Sequence, residues 1–79
     1  MLSREYEKTV QAVADLQDAI EACRNVADTI QLALYQGRIS LFAAVILLHK
    51  LAIIEGDLVL QLYLAEAQKA FLAHLIKNS

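Results

Sequence analysis

Few side chains in this sequence are of the types that act as nucleophiles or metal ligands. There is one cysteine, Cys23, and there are two histidines, His49 and His74. A single cysteine forms no internal disulfide and cannot make a zinc cluster by itself. The histidines would lie roughly 37 Å apart on a continuous helix at 1.5 Å per residue, too far to share a metal ion. We therefore interpret Cys23 as a small core residue and both histidines as surface side chains.

The sequence also lacks the short motifs of enzymes, namely G-x-S-x-G, H-E-x-x-H, a P-loop and C-x-x-C. We therefore predict a non-enzymatic protein without cofactor or metal. Lys50, Glu55 and Asp57 form a polar cluster in an otherwise apolar segment. Two interpretations of this cluster stay open: the solvent-exposed stripe of a helix, or polar groups that fix the register of an apolar interface.

Composition limits the fold and the partners. With 79 residues the chain forms at most one domain, 1–79, and its net charge of −2 does not favour nucleic-acid binding. Apolar residues make up 58% of the chain, above the roughly 45–50% that is usual for a soluble domain. Because so short a chain cannot bury that much apolar surface alone, we expect its partners to be protein helices, in a second copy or in another protein.

The most apolar segment, 41–54, has twelve apolar side chains in fourteen residues, fewer than the about 20 residues of a membrane-spanning helix. Extending this segment brings in Glu55 and Asp57, so a buried helix is the preferred interpretation, with a membrane-associated peptide as an alternative. The charged N-terminus is not typical of a signal peptide. A cytoplasmic location is favoured, or a periplasmic one if a signal peptide has been removed.

Apolar residues recur with a heptad period over residues 3–35 and predict one amphipathic helix, with Ser3 as its N-cap. Eight of the nine positions in two neighbouring rows are apolar. These rows are Tyr6, Val13, Ile20, Ala27 and Leu34, and Thr9, Leu16, Cys23 and Ile30. The pattern is typical of a helix packed lengthwise against another helix.

Residues 36–40 predict a turn between two helices. Gly37 suits the left-handed position after a helix, and Ser40 suits the N-cap of the next one. So short a connection makes the two helices antiparallel. The predicted fold class is therefore all-α: an antiparallel helical hairpin with coiled-coil-like packing, completed by oligomerisation or by a partner.

The second helix, 41–77, is apolar on more than one face. Two rows face the first helix: Ala44, Leu51, Leu58, Ala65 and Leu72, and Leu48, Glu55, Leu62, Lys69 and Ile76. Eight residues on the remaining side, which we name the outer face, are the predicted partner-binding residues: Phe42, Val45, Ile46, Ile53, Val59, Leu60, Tyr63 and Phe71. One partner helix covers only one stripe, so this face needs a second partner. A break at Gly56 that begins a third helix is an alternative to one continuous helix, which is favoured.

The turn and the second helix resemble a known family. The segment from Leu32 to Leu41 and the ending from Ala65 to Leu72 are similar to the helical hairpin of TolC-like outer-membrane efflux proteins. Gly37 and Ser40 keep the three-residue offset of that family's turn. The resemblance implies that Tyr35 and Arg38 lie at the tip of a coiled coil.

Taken together, the sequence predicts a non-enzymatic helical interaction module. The favoured hypothesis is a small oligomerising adaptor or chaperone-like subunit of a bacterial secretion or transport assembly. The alternatives are a structural hairpin of an efflux-channel-like or filament assembly and a membrane-associated helical peptide.

Overall fold

A computed structural model describes residues 1–78, which form two long helices. Helix α1 spans Leu2–Tyr35 and helix α2 spans Leu41–Lys77. They pack side by side as an elongated hairpin of 59 × 15 × 13 Å, and no strand occurs in the described part of the chain. The predicted all-α helical hairpin is therefore confirmed, and both helices begin and end within one residue of the predicted bounds.

The start of α1 differs from the prediction. The N-cap is Met1, without a side-chain hydrogen bond, and the Glu5 amide donates to the Met1 carbonyl over 3.2 Å. Because that carbonyl already accepts the first intrahelical bond, the helix begins before Ser3, whose side chain is exposed in the first turn. The prediction of Ser3 as the N-cap was wrong.

The inward side of α1 follows the heptad rows. All nine positions of the two rows are buried or half-buried, and Val13 and Ile20 are only 6% and 5% exposed. Thr9 is the one buried polar side chain among residues 1–78, and its hydroxyl donates to the Glu5 carbonyl over 2.9 Å. This local bond satisfies the hydroxyl and allows a threonine to occupy a buried position.

The turn is closed by backbone hydrogen bonds and a serine cap. Gly37 has a φ of +71°, and the Arg38 amide beyond it donates to the Ala33 carbonyl over 2.9 Å. This is the bond by which a glycine in the left-handed conformation satisfies the last carbonyls of a helix. The Ser40 hydroxyl then accepts from the Ala43 amide over 3.1 Å and caps α2. Both predicted roles in the turn are confirmed.

Helix α2 continues without a break through Gly56, so the third helix that the sequence left as an alternative does not form. All ten residues of its two inner rows are buried or half-buried. The tightest contacts lie near the two ends of the helix, where Ala44 is 1% and Leu72 is 8% exposed.

Candidate protein-binding surface

The outer face lies on the outward side of α2, and at its edge Val59 and Tyr63 line a shallow cavity together with Ile20 of α1. All eight of its residues are exposed, from 39% for Ile46 and Val59 to 76% for Phe42 and Tyr63. The hairpin therefore uses one side of α2 for its own core and leaves a second apolar side open to solvent. Contiguous apolar surface of this kind marks interaction sites in soluble proteins.

Further large apolar side chains of α2 are exposed and lie outside both its inner rows and the predicted outer face: Leu47, Ile54 and Leu64. For Leu47 and Ile54 the sequence contains a signal, namely the near absence of polar residues between 41 and 54. A helix with one buried stripe carries charged or polar residues on its opposite side.

A regular seam runs along the outward side of α2 and includes five of the outer-face residues. Its members are separated alternately by four and three positions, the spacing of a helix that packs lengthwise on another helix. We name it the second seam: Phe42, Ile46, His49, Ile53, Gly56, Leu60 and Tyr63. All seven residues are exposed. The second seam lies roughly opposite the rows that contact α1, so residues with this spacing occur on both sides of α2.

Gly56 makes a notch in the middle of the second seam. A Cβ atom built on it would meet no other atom within 4 Å, and its backbone is ordinary α-helix. Packing within the hairpin does not require a glycine there, and a glycine inside an exposed helix costs about 1 kcal/mol relative to alanine. The notch lies between Ile53 and Leu60, where it would admit a bulky side chain from outside.

The polar cluster of the sequence analysis is divided between the two sides of α2. The Glu55 carboxylate faces α1, where its Oε1 lies 3.1 Å from Arg24 Nε. Asp57 is exposed beside the second seam and accepts a hydrogen bond from Gln61 over 2.7 Å. Lys50 is also exposed beside the second seam and forms no ion pair within residues 1–78. Glu55 thus bridges the hairpin, whereas Lys50 and Asp57 flank the outward surface.

No feature of the sequence indicates Arg24 as the partner of Glu55. A shallow cavity of about 290 Å³ opens between the helices beside this ion pair, and the half-buried Cys23 lines it. Among residues 1–78 no group of three histidine, cysteine or acidic side chains is arranged to hold a metal ion. His49 and His74 are both exposed, and His49 lies on the second seam.

The side chains of the turn lie at one end of the hairpin. Tyr35 is 87% exposed and Arg38 is exposed. Gly37 and Ser40, by contrast, have structural roles, since Gly37 adopts the left-handed conformation of the turn and Ser40 caps α2. In the part of the chain that is described, neither helix has a stretch long and apolar enough to cross a membrane.

Comparison with known proteins adds no relative. No family model matches the chain, and neither a curated protein nor a solved structure matches it.

Proposed function

We propose that this protein is a non-enzymatic protein–protein interaction module that binds protein helices through the outer face of α2. The observation that carries the proposal is the second seam. It has the spacing of a helix-packing surface, its residues are exposed, and the core of the hairpin does not use it.

The chemistry of the outer face supports protein binding. Three of its eight residues are aromatic, and Phe42, Tyr63 and Phe71 are each at least 60% exposed. Aromatic residues are enriched among the side chains that dominate binding energy in protein interfaces. Covering this face with a partner helix removes apolar surface from water at about 25 cal/mol per Å².

The biological setting that we favour is a small oligomerising adaptor or chaperone-like subunit of a bacterial secretion or transport assembly. A helical hairpin of 79 residues with one open apolar face has the size and plan for such a role. A second candidate is a structural hairpin of an efflux-channel-like or filament assembly. The turn favours it, because Tyr35 and Arg38 are exposed at the tip as the resemblance to TolC-like hairpins implies.

The first experiment is light scattering coupled to size exclusion on the purified chain in detergent-free buffer. We expect a mass above that of the monomer, and we expect Leu60→Lys to reduce it because the charge interrupts the second seam. Leu32→Lys is the matched control. Leu32 is 53% exposed on the outward side of α1, compared with 59% for Leu60, so its substitution should leave the mass unchanged.

Two other outcomes would redirect the interpretation. A monodisperse monomer that binds no hydrophobic dye would contradict the proposed function. Ordered rings or fibres at high concentration would favour the structural-hairpin candidate, and sedimentation with liposomes that Leu60→Lys abolishes would favour a membrane surface as the partner.

A further inference from the structure

We infer that the occupant of the outer face is a second copy of this chain, with the two α2 helices packed antiparallel along their second seams. This inference rests on the proposed function and specifies the partner. The hairpin pair would form a flat array of four helices, in which the two α2 helices pack against each other in the centre and each α1 lies on an outer side.

Size complementarity along the second seam selects the pairing. In one register Ile53 packs on Gly56 of the second copy. Phe42 packs on Ala67 of the second copy, which is the next position of the same spacing after Tyr63. Between these contacts Ile46 packs on Tyr63, and His49 on Leu60, of the second copy. Because the dimer is two-fold symmetric, each contact occurs twice. The notch at Gly56 then receives the Ile53 side chain, which explains a glycine that the hairpin itself does not need.

A parallel arrangement lacks this fit. In a parallel pair equivalent positions meet, so Gly56 would face Gly56 of the second copy and leave a gap in the middle of the interface. Phe42 would meet Phe42 and Tyr63 would meet Tyr63, so these layers of the interface would each hold two aromatic side chains while the Gly56 layer would stay unfilled. Close packing at native density disfavours such alternation of voids and overfilled layers.

Charge complementarity selects the same register. In the antiparallel register described above, Lys50 lies beside Asp57 of the second copy, and symmetry repeats this pair on the other side of the centre. Shifting the register by one heptad brings Asp57 beside Asp57 of the second copy, where like charges repel. Both side chains are exposed along the border of the second seam, and Lys50 has no ion-pair partner within residues 1–78.

The outer face offers a substantial part of the surface that a stable dimer buries. Stable interfaces bury about 800 Å² per partner. A buried aromatic side chain contributes about 150–250 Å². At 76% exposure each, Phe42 and Tyr63 offer on the order of 300 Å². Val45, Ile53 and Leu60, which are 56–61% exposed, add to this area.

Charge reversal tests the register. Lys50→Asp and Asp57→Lys should each weaken self-association in analytical ultracentrifugation by roughly tenfold, because each places like charges together at both symmetric contacts. An equimolar mixture of the two variants should associate like the original chain, since every contact then joins opposite charges. The doubly substituted chain should recover for the same reason. Asp18→Lys reverses an exposed charge on the outward side of α1 that forms no ion pair within residues 1–78, so this control should leave self-association unchanged.

Disulfide trapping provides a second measurement in a Cys23→Ala background. A chain with Ile46→Cys mixed with a chain with Tyr63→Cys should form a heterodimeric disulfide under mild oxidation. Mixing Ile46→Cys with Ala70→Cys is the matched control, because these positions meet only if the register shifts by one heptad. Circular dichroism on each variant confirms that the helices remain folded.

The outcomes separate the two levels of the proposal. If self-association does not change with either charge reversal, or if the control disulfide forms instead, the proposed antiparallel pairing is overturned. The proposal of an interaction module is then unaffected. If the chain binds another protein through the outer face but does not bind a second copy of itself, the antiparallel pairing is likewise overturned and the interaction module is retained. A chain that stays monomeric and binds no hydrophobic dye overturns both proposals.

Discussion

The outward sides of the two helices differ although their inward sides are alike. Each helix contributes two heptad rows to the contact between them, and every position in those rows is buried or half-buried. On the outward side of α1 the exposed residues include Gln11, Asp18 and Asn25. On the outward side of α2 the corresponding stripe contains Phe42, Ile53 and other apolar residues. Helix α1 is therefore mainly apolar on one side, whereas α2 is apolar on two.

The distribution of charge makes the same distinction. Residues 1–28 carry three basic and six acidic side chains, whereas residues 29–79 carry four basic and three acidic ones. A polar, acidic surface on α1 keeps that side in water and opposes its burial against another copy. This contrast supports the proposed binding through α2, so substitutions on the two sides should have different consequences.

The largest expected difference is between two adjacent residues, Leu72 and Phe71. Leu72 is 8% exposed against α1, and Phe71 is 60% exposed on the outer face. Leu72→Ala should lower the free energy of unfolding by about 2–3 kcal/mol, because it opens a cavity in the core of the hairpin. At low protein concentration Phe71→Ala should lower it by less than about 0.5 kcal/mol. Urea denaturation followed by circular dichroism measures both.

Protein concentration is the control for this pair of variants. The effect of Leu72→Ala should be nearly independent of concentration, whereas that of Phe71→Ala should grow as the chain associates. Equal effects at low concentration would mean that the outer face is part of the core of the monomer, and would remove the contrast between the two sides of α2.

A smaller difference is expected between the two glycines. Gly37→Ala should lower the free energy of unfolding by about 1–2 kcal/mol, because φ is +71° at this position. Gly56→Ala should raise the stability of the dilute chain by about 1 kcal/mol, because the position is helical and open to solvent.

Self-association should respond in the opposite sense. If the notch at Gly56 receives Ile53 of a second copy, the added methyl group weakens the dimer while it strengthens the helix. Thermal unfolding of the dilute chain and sedimentation at high concentration measure the two effects separately. Gain of stability together with tighter association would contradict the role given to the notch.

Heptad spacing predicted most of the hairpin and the position of the outer face. The rows place each residue around the helix axis, so the burial of Val13 or Ala44 and the exposure of Phe42 follow from the period alone. The N-cap at Met1 could not be predicted, because extending the helix by two residues beyond the predicted cap at Ser3 costs little. The pairing of Arg24 with Glu55 was also missed, because spacing along one helix does not say which residue of the other helix lies across from it. The occupant of the outer face could not be predicted either, because spacing along α2 shows which residues share a side of the helix but not which surface covers them.

The smallest expected effect belongs to the Arg24–Glu55 ion pair at the edge of the contact between the helices. The Arg24 side chain is 67% exposed and that of Glu55 is 35% exposed, so water screens much of their attraction. Glu55→Gln should lower the free energy of unfolding by about 0.5 kcal/mol at low salt and by almost nothing at 1 M salt, where the Debye length is about 3 Å.

Glu55→Leu sharpens this result, because a leucine would continue the row formed by Leu48 and Leu62. We expect it to match or exceed the stability of the original chain, since apolar burial replaces a partly desolvated charge while Arg24 stays in water. Urea denaturation at low and high salt compares the two variants. A loss of more than about 2 kcal/mol for Glu55→Leu would show that the ion pair, and not the apolar rows, holds the middle of the hairpin together. If Glu55→Leu is as stable as expected, the ion pair contributes little to stability. The apolar rows then account for the contact of α2 with α1, and the outer face stays available for a second helix.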